Sequence, residues 1–343
     1  MKPYCFLLLI GLFGSFTACR SLPSPQQTSQ GSWWFQVADD QSEPVARHEA
    51  SFIEAGGKFY LSGGRGIRPV SIFDPVSKQW TQGAKPPLEL HHFQSIVFEG
   101  KIYVIGAMTG GYPDEPPATH VYIYHPGEDR WEKSHEIPKD RRRGSTGNVL
   151  YQGKIYVSCG IEVGHMKGHS KWFDEYDPQT GQWRRLPDAP RPRDHFQAAV
   201  VGNKMYVAGG RLSKAPDSVF AYPVAPVDVY DFQKKSWSTL PKPLPTLRAG
   251  HTVLPFGKEI WVIGGESGDQ QAAHDEVEAL HTRTLDWRSL PSLNQGRHGT
   301  SAILWRGSVI LASGCGQRGG SPELHTMEFF RSAGQKGATF GQP

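Results

Sequence analysis

Six times along its 343 residues this chain rewrites one short phrase: a polar residue, an apolar stretch, and a stop made of small residues. The fourth copy is Lys204-Met205-Tyr206-Val207-Ala208-Gly209-Gly210, and the others begin at Lys58, Lys101, Lys154, Glu259 and Ser308. Their central positions are Tyr60, Tyr103, Tyr156, Tyr206, Trp261 and Ile310, spaced 43, 53, 50, 55 and 49 residues apart. Intervals of this size belong to arrays of small β-sheets rather than to stacked helix pairs. The 39 glycines and 27 prolines supply the tight turns that many short strands require. Because the repeat runs without a break, the chain is expected to form one large all-β domain.

Within a repeat the pattern predicts four strands. In the fourth, residues 196–201 form an apolar inner strand and Gly202-Asn203 a two-residue hairpin turn that tolerates positive φ. Residues 204–208 form the second strand, and residues 227–231 alternate as a half-exposed third. Trp237 marks the outer strand, and the same tryptophan recurs at Trp80, Trp131, Trp183 and Trp287. The sixth repeat ends on a third strand at residues 324–330 with no tryptophan after it. Trp34 instead stands 46 residues before Trp80, in step with the later intervals of 51, 52, 54 and 50. An N-terminal strand is therefore expected to complete the last repeat and close a ring, removing the open edge that invites aggregation.

The paired glycines after an aromatic strand, with tryptophan at a fixed offset, resemble the kelch repeat family over residues 33–330. Local departures are Ala107, Cys159 and Ser313 in glycine slots and Ile310 in the ring slot. The resemblance implies an all-β, six-bladed kelch β-propeller. Residues 331–343 remain as a Gly-rich tail expected to be disordered.

Residues 1–18 carry Lys2 as their only charge and an apolar run at 6–13, too short to span a membrane and shaped like an export signal. Phe16-Thr17-Ala18-Cys19 resembles the bacterial lipobox, which implies cleavage before Cys19 and lipidation of that cysteine. Residues 19–32 then form a polar linker able to hold the domain roughly 20 Å off a surface. The expected location is the cell envelope, as an exported, lipid-anchored protein touching the membrane through the anchor alone; simple secretion is the alternative. Loss of Lys2 leaves 36 basic against 33 acidic side chains, net +3. No block of like charge stands out beyond Arg141-Arg142-Arg143, so no nucleic-acid partner is expected. Cys159 and Cys315 fall in the third and sixth repeats, opposite each other in a six-fold ring. They are expected to be two buried free thiols.

Thirteen residues before each central position stand Arg47, Leu90, Arg143, Arg193, Arg248 and Arg297. Shortly after come His48, His91 and His92, His195, His251 and His298. They lie where each outer strand hands over to the next inner one, so they are expected to ring the mouth of a central channel. Converging guanidiniums suit a carboxylate, sulfate or phosphate. The competing role is structural, with each arginine bonding a neighbouring carbonyl or aspartate. Glu266 and Glu162 are the acids best placed to work beside the arginines. His165 and His169 have the spacing of two metal ligands on a helix, but their loop is Gly-rich, and neither a metal nor another cofactor is expected. The chain has no nucleophile elbow, phosphate loop or HExxH motif.

These features favour a monomeric binding module for a protein partner or an anionic glycan. The alternative is an enzyme, since six-bladed exported propellers include sialic acid epimerases (mutarotases), to which this chain is similar in blade count, export and arginine ring. That resemblance implies acid–base catalysis, with Glu266 or Glu162 as the candidate proton carrier. A scaffold that docks partners on its outer strands, its channel idle, is the third possibility.

Overall fold

The computed structural model describes residues 33–37 and 42–331, together with Met1. Residues 2–18 of the export segment, the lipidation candidate Cys19, the linker 19–32 and residues 332–343 of the tail lie outside the described residues. Six four-stranded antiparallel sheets follow one another along the chain. The first consists of Ala50–Ala55, Lys58–Gly63, Ser71–Asp74 and Gln79–Gln82, and the next four repeat that order. The first strands of successive sheets are neighbours, and the sixth returns to the first, so the sheets are six blades around a central channel.

In the fourth blade, Lys204–Val207 is apolar at every position after the lysine because both faces of its sheet are covered. Met205 and Val207 pack towards the third blade, with Tyr156 and Phe173. Tyr206 points the other way, into the fifth blade's Val253 and Ile260. Period-two alternation thus splits one apolar strand between two inter-blade cores. Each such side chain contributes about 1.5–3 kcal/mol through burial.

The last blade joins the two ends of the chain. Trp33–Gln36 pairs antiparallel with Met327–Arg331, in the register Trp34↔Phe330 and Phe35↔Phe329. Trp34 is the sixth outer tryptophan in its contacts as well as its spacing. Its Nε1 donates to Pro291 O at 2.8 Å, as Trp237 Nε1 donates to Pro187 O at 2.9 Å, each to the blade before. The strand runs one residue past the expected boundary, to Arg331. Cys159 and Cys315 are buried and free. The loop holding His165 and His169 is a two-stranded hairpin, Ile161–Val163 with Lys167–His169.

The channel is closed partway down by a polar layer. Gln94 reaches from the second blade to the fourth, its Nε2 donating to Ala198 O at 2.9 Å and its Oε1 accepting from Ala198 N at 3.0 Å. Gln197 reaches from the fourth blade to the sixth, donating to Thr300 O and Ser301 Oγ, while Thr252 Oγ1 donates to Gln197 Oε1 at 2.7 Å. The space above this layer is a blind pocket.

Candidate functional site

The arginines that recur in five blades are not at the mouth. Arg47, Arg143, Arg193, Arg248 and Arg297 are all 0–2% exposed. Each donates to the carbonyl of the first residue of its own blade's glycine pair or its substitute: Gly63, Cys159, Gly209, Gly264 and Ser313. Four of them also meet an acid on the third strand, Asp174, Asp228, Glu278 or Glu328, at 2.5–2.9 Å. The acids share one register position, opposite the residue after the central ring. In the first blade Ser71 holds that position and bonds Arg47. In the second, Leu90 stands for the arginine and Tyr122 for the acid, both inside one apolar cluster. The expected anion receptor is thus corrected to a lock between second and third strands, needed because a buried guanidinium must be paired.

Two residues further on, the backbone itself forms the channel wall. Glu49, His92, Ser145, His195, Gly250 and Gly299 stand eleven residues before the six central positions, and all have φ between 54° and 67°. Their peptides link blade to blade: His92 N donates to Glu49 O, Ser145 N to His92 O, Gly250 N to His195 O and Gly299 N to Gly250 O, at 2.7–3.0 Å. Left-handed backbone is costly for a branched or bulky side chain, so the four non-glycine members are held there by this circle. The turn aims Glu49, His92 and His195 at the axis.

A second circle comes from the residue after each glycine pair: Arg65, Met108, Ile161, Arg211, Glu266 and Cys315, five after the central position. Five of them bridge to the residue just ahead of the first circle, as in Asp194↔Arg211 and Ala249↔Glu266. Arg65 and Arg211, not the recurrent arginines, are the guanidiniums of the mouth. The signal that would have found them is variation: this position carries five kinds of residue over the six blades, arginine twice, although the pair before it holds at least one glycine in every blade.

The mouth is a pocket of about 490 Å3, walled by His48, Glu49, Arg65, Tyr112, His165 and Arg211 among others, with Glu266 and His298 shared with the throat below. Charges alternate around it. Arg65 Nη2 lies 2.6 Å from Glu115 Oε1, and Arg65 Nε lies 2.6 Å from Glu49 Oε2, the latter out of line for a hydrogen bond. Arg211 Nη1 donates to Glu266 Oε1 at 2.6 Å while its guanidinium lies 4.9 Å from the Phe220 ring. Burial opposes ionisation of Glu266, but the charges of His298 and Arg211 outweigh it and hold the carboxyl below its ordinary value. Burial likewise opposes Glu115, and the bond from His165 overrides it, holding Glu115 at about 2. Burial pushes His92, His195 and His251 well below the usual imidazole value, His251 to about 3.

The expected histidines do line this space: His92, His195, His251 and His298 the throat, His48 and His298 the mouth. Of the two acids, Glu266 is in the pocket and Glu162 is exposed on the outer hairpin, which removes it from the site. His165 and His169 part company. His169 Nε2 donates to Ser213 O at 2.8 Å, whereas His165 turns inward to His195 and Glu115.

A family model described as the Attractin/LZTR1 beta-propeller matches residues 26–273. Kelch-like protein terF of Aspergillus terreus is 26% identical over 90% of this chain and 70% of its own length. Spermatocyte protein spe-26 of Caenorhabditis elegans is 26% identical over 71% of this chain, and Kelch-like protein 25 of Xenopus tropicalis 24% over 73%. The match spans only 41% and 42% of those two relatives. The solved structure of YjhT superposes with a TM-score of 0.71 over 83% of this chain and 95% of its own, at 18% identity, a likeness of fold.

Proposed function

The chain belongs to the Attractin/LZTR1 beta-propeller family, and on that footing we propose that it is a binding module whose ligand presents an acidic group to the channel mouth. An anionic glycan or an acidic side chain of a protein partner has that chemistry. The supporting observation is that Arg65 and Arg211 stand at the rim of a blind pocket, at a position that carries five kinds of residue over the six blades. Variable side chains on a rigid scaffold are where such folds carry recognition. Arg211, stacked on Phe220, suits a carboxylated ring. The test is a thermal-shift series with sialic and uronic acids, neutral sugars and acidic peptides. Saturation at a hundred-fold excess over Kd stabilises by about 2.7 kcal/mol. Arg211→Ala should abolish the shift of the acidic ligand, and an undiminished shift would place binding on another face.

A second reading, epimerisation of an acidic sugar, is favoured by one pairing. Glu266 lies in the pocket beside Arg211, with His298 Nε2 3.5 Å from its Oε2. An ionised Glu266 would take a proton while Arg211 holds the substrate carboxylate. Accelerated anomer exchange of sialic acid by NMR, lost in Glu266→Gln, would establish it; exchange at the uncatalysed rate would dismiss it. The proposal also includes export and anchoring through Cys19, supported by the sequence of residues 1–19. Incorporation of labelled palmitate in a bacterial host, absent from Cys19→Ser, tests that part.

A further inference from the structure

Below the rim, three imidazoles from three blades meet. His165 Nε2 and His195 Nε2 are 3.0 Å apart, and the His92 ring lies 4.6 Å from the His195 ring and 5.1 Å from the His165 ring. All three side chains are buried, and one nitrogen of each falls within 4.8 Å of the others. We propose that His92, His165 and His195 form a binding site for a divalent transition metal of the zinc type. The site is independent of what the rim binds.

The other ring nitrogens of His165 and His195 point to carboxylates. His165 Nδ1 is 3.1 Å from both oxygens of Glu115, and His195 Nδ1 is 2.6 Å from Asp194 Oδ1. Asp194 is itself oriented by Ser213, whose N and Oγ donate to it at 3.0 and 2.6 Å. A carboxylate accepts, so each Nδ1 carries the hydrogen. In neutral rings both Nε2 atoms are then lone-pair sites facing one another across 3.0 Å, an arrangement satisfied by a shared proton or by a metal ion between them. A tetrahedral zinc with bonds of 2.0–2.1 Å holds its nitrogen ligands about 3.3 Å apart, so the two rings need open only slightly. His92 supplies the third buried ring; its Nε2 faces Glu49 Oε1 at 2.6 Å, and a metal entering the cluster through that nitrogen would displace the hydrogen between them.

His165 and His195 thus show the pattern of metal-binding histidines, in which a carboxylate fixes the tautomer and orientation of the ring. The charge agrees with it. Glu49, Glu115, Asp194 and Glu266 against Arg65 and Arg211 leave two negative charges around the cluster, matching a divalent ion. Three neutral imidazoles select zinc, copper or nickel over calcium or magnesium. Three protein ligands also leave a fourth position for water or a ligand group. His91 Nδ1, 2.5 Å from His92 Nδ1, lies on the far side of the His92 ring and fixes its orientation.

The untagged full-length chain, stripped with chelator, should take up one equivalent of Zn2+ in a calorimetric titration. With Co2+ it should show the intense visible bands of a four-coordinate site. His165→Ala and His195→Ala should each lose both signals while keeping the wild-type circular dichroism. Glu115→Gln, which spares the ligands, should weaken Zn2+ binding about 10- to 100-fold. A wild-type chain that binds no more Zn2+ than His195→Ala, or Co2+ bands unchanged in His165→Ala, would overturn the site and assign the His165–His195 contact to a shared proton.

Discussion

Arg248 Nη1 lies 2.6 Å from Glu278 Oε2 inside the fifth blade, and neither side chain is more than 7% exposed. The pair is one of four equivalent locks, and the second blade shows what replaces it, Leu90 with Tyr122. Removing one partner of a buried ion pair leaves an uncompensated charge and costs about 3–5 kcal/mol. Arg248→Leu and Glu278→Tyr should each be destabilising on that scale. Together they should cost less than their sum, because the charges vanish as a pair. Urea denaturation of the four proteins of the cycle measures the coupling; additive losses would mean that the acid does not serve the arginine.

Closure of the ring is testable at Trp34. Its side chain is 6% exposed, packs on Phe330 with ring centroids 5.3 Å apart, and bonds Pro291. Trp34→Ala should cost about 3–5 kcal/mol, against less than about 0.5 kcal/mol for Leu304→Ala at an exposed position. Thermal melting compares them, and a Trp34→Ala melt equal to that of Leu304→Ala would mean the last blade does not need its N-terminal strand.

The ion pair of His48 with Glu323 should give stability a definite pH window. His48 Nδ1 is 2.8 Å from Glu323 Oε1, and Arg68 Nη1 is 2.7 Å from Glu323 Oε2. Glu49, Arg65 and the His298 ring also face His48. Burial opposes protonation of His48, but the Glu323 bond and the charges of Glu49 and Glu323 raise it above 6.5. Burial likewise opposes ionisation of Glu323, and His48 and Arg68 lower it below 4.5. A raised imidazole stabilises the fold below its unfolded value and loses that contribution as pH climbs through the folded one. A lowered carboxyl stabilises above its unfolded value and loses it as pH falls through the folded one. The pair is therefore strongest between these limits. Glu323→Gln should depress Tm more at pH 5.5 than at pH 8.5; equal depressions would show that His48 stays neutral throughout.

Cys159 and Cys315 are fully buried, and burial pushes both thiols up to about 11. At pH 8 they are protonated as well as inaccessible, and the thiolate is the reactive form. Mass spectrometry after iodoacetamide treatment should find neither alkylated in the native protein and both alkylated in guanidinium. Native alkylation of Cys159 would mean that the third blade opens locally.

The repeat made the blades, their number and the closing strand readable, because each blade needs the same buried ring, glycine stop and outer tryptophan. The step from recurrence to site failed for a physical reason. Arg193 and His195 are two residues apart, yet the positive φ at His195 turns one side chain to the channel while the other stays in the sheet. Spacing alone carries no such direction. What recurs in five blades, like Arg193, is what the fold consumes; the position of Arg65, Arg211 and Glu266 holds five kinds of residue over the six blades and is left for recognition. His165 was legible only as half of a pair with His169, because its true partners, His92 and His195, come from other blades.

The cross-bracing of Gln94 and Gln197 divides the channel, so the part behind the arginines is a cul-de-sac with one doorway, separate from the space of about 410 Å3 lined by the inner strands beyond. Nothing can be threaded through it, so a long polymer could be held only by its terminus or by a short branch. Whatever leaves must go out past the same arginines that admitted it. A ligand for this propeller is thus selected by what it carries at its end, and the rest of it stays outside.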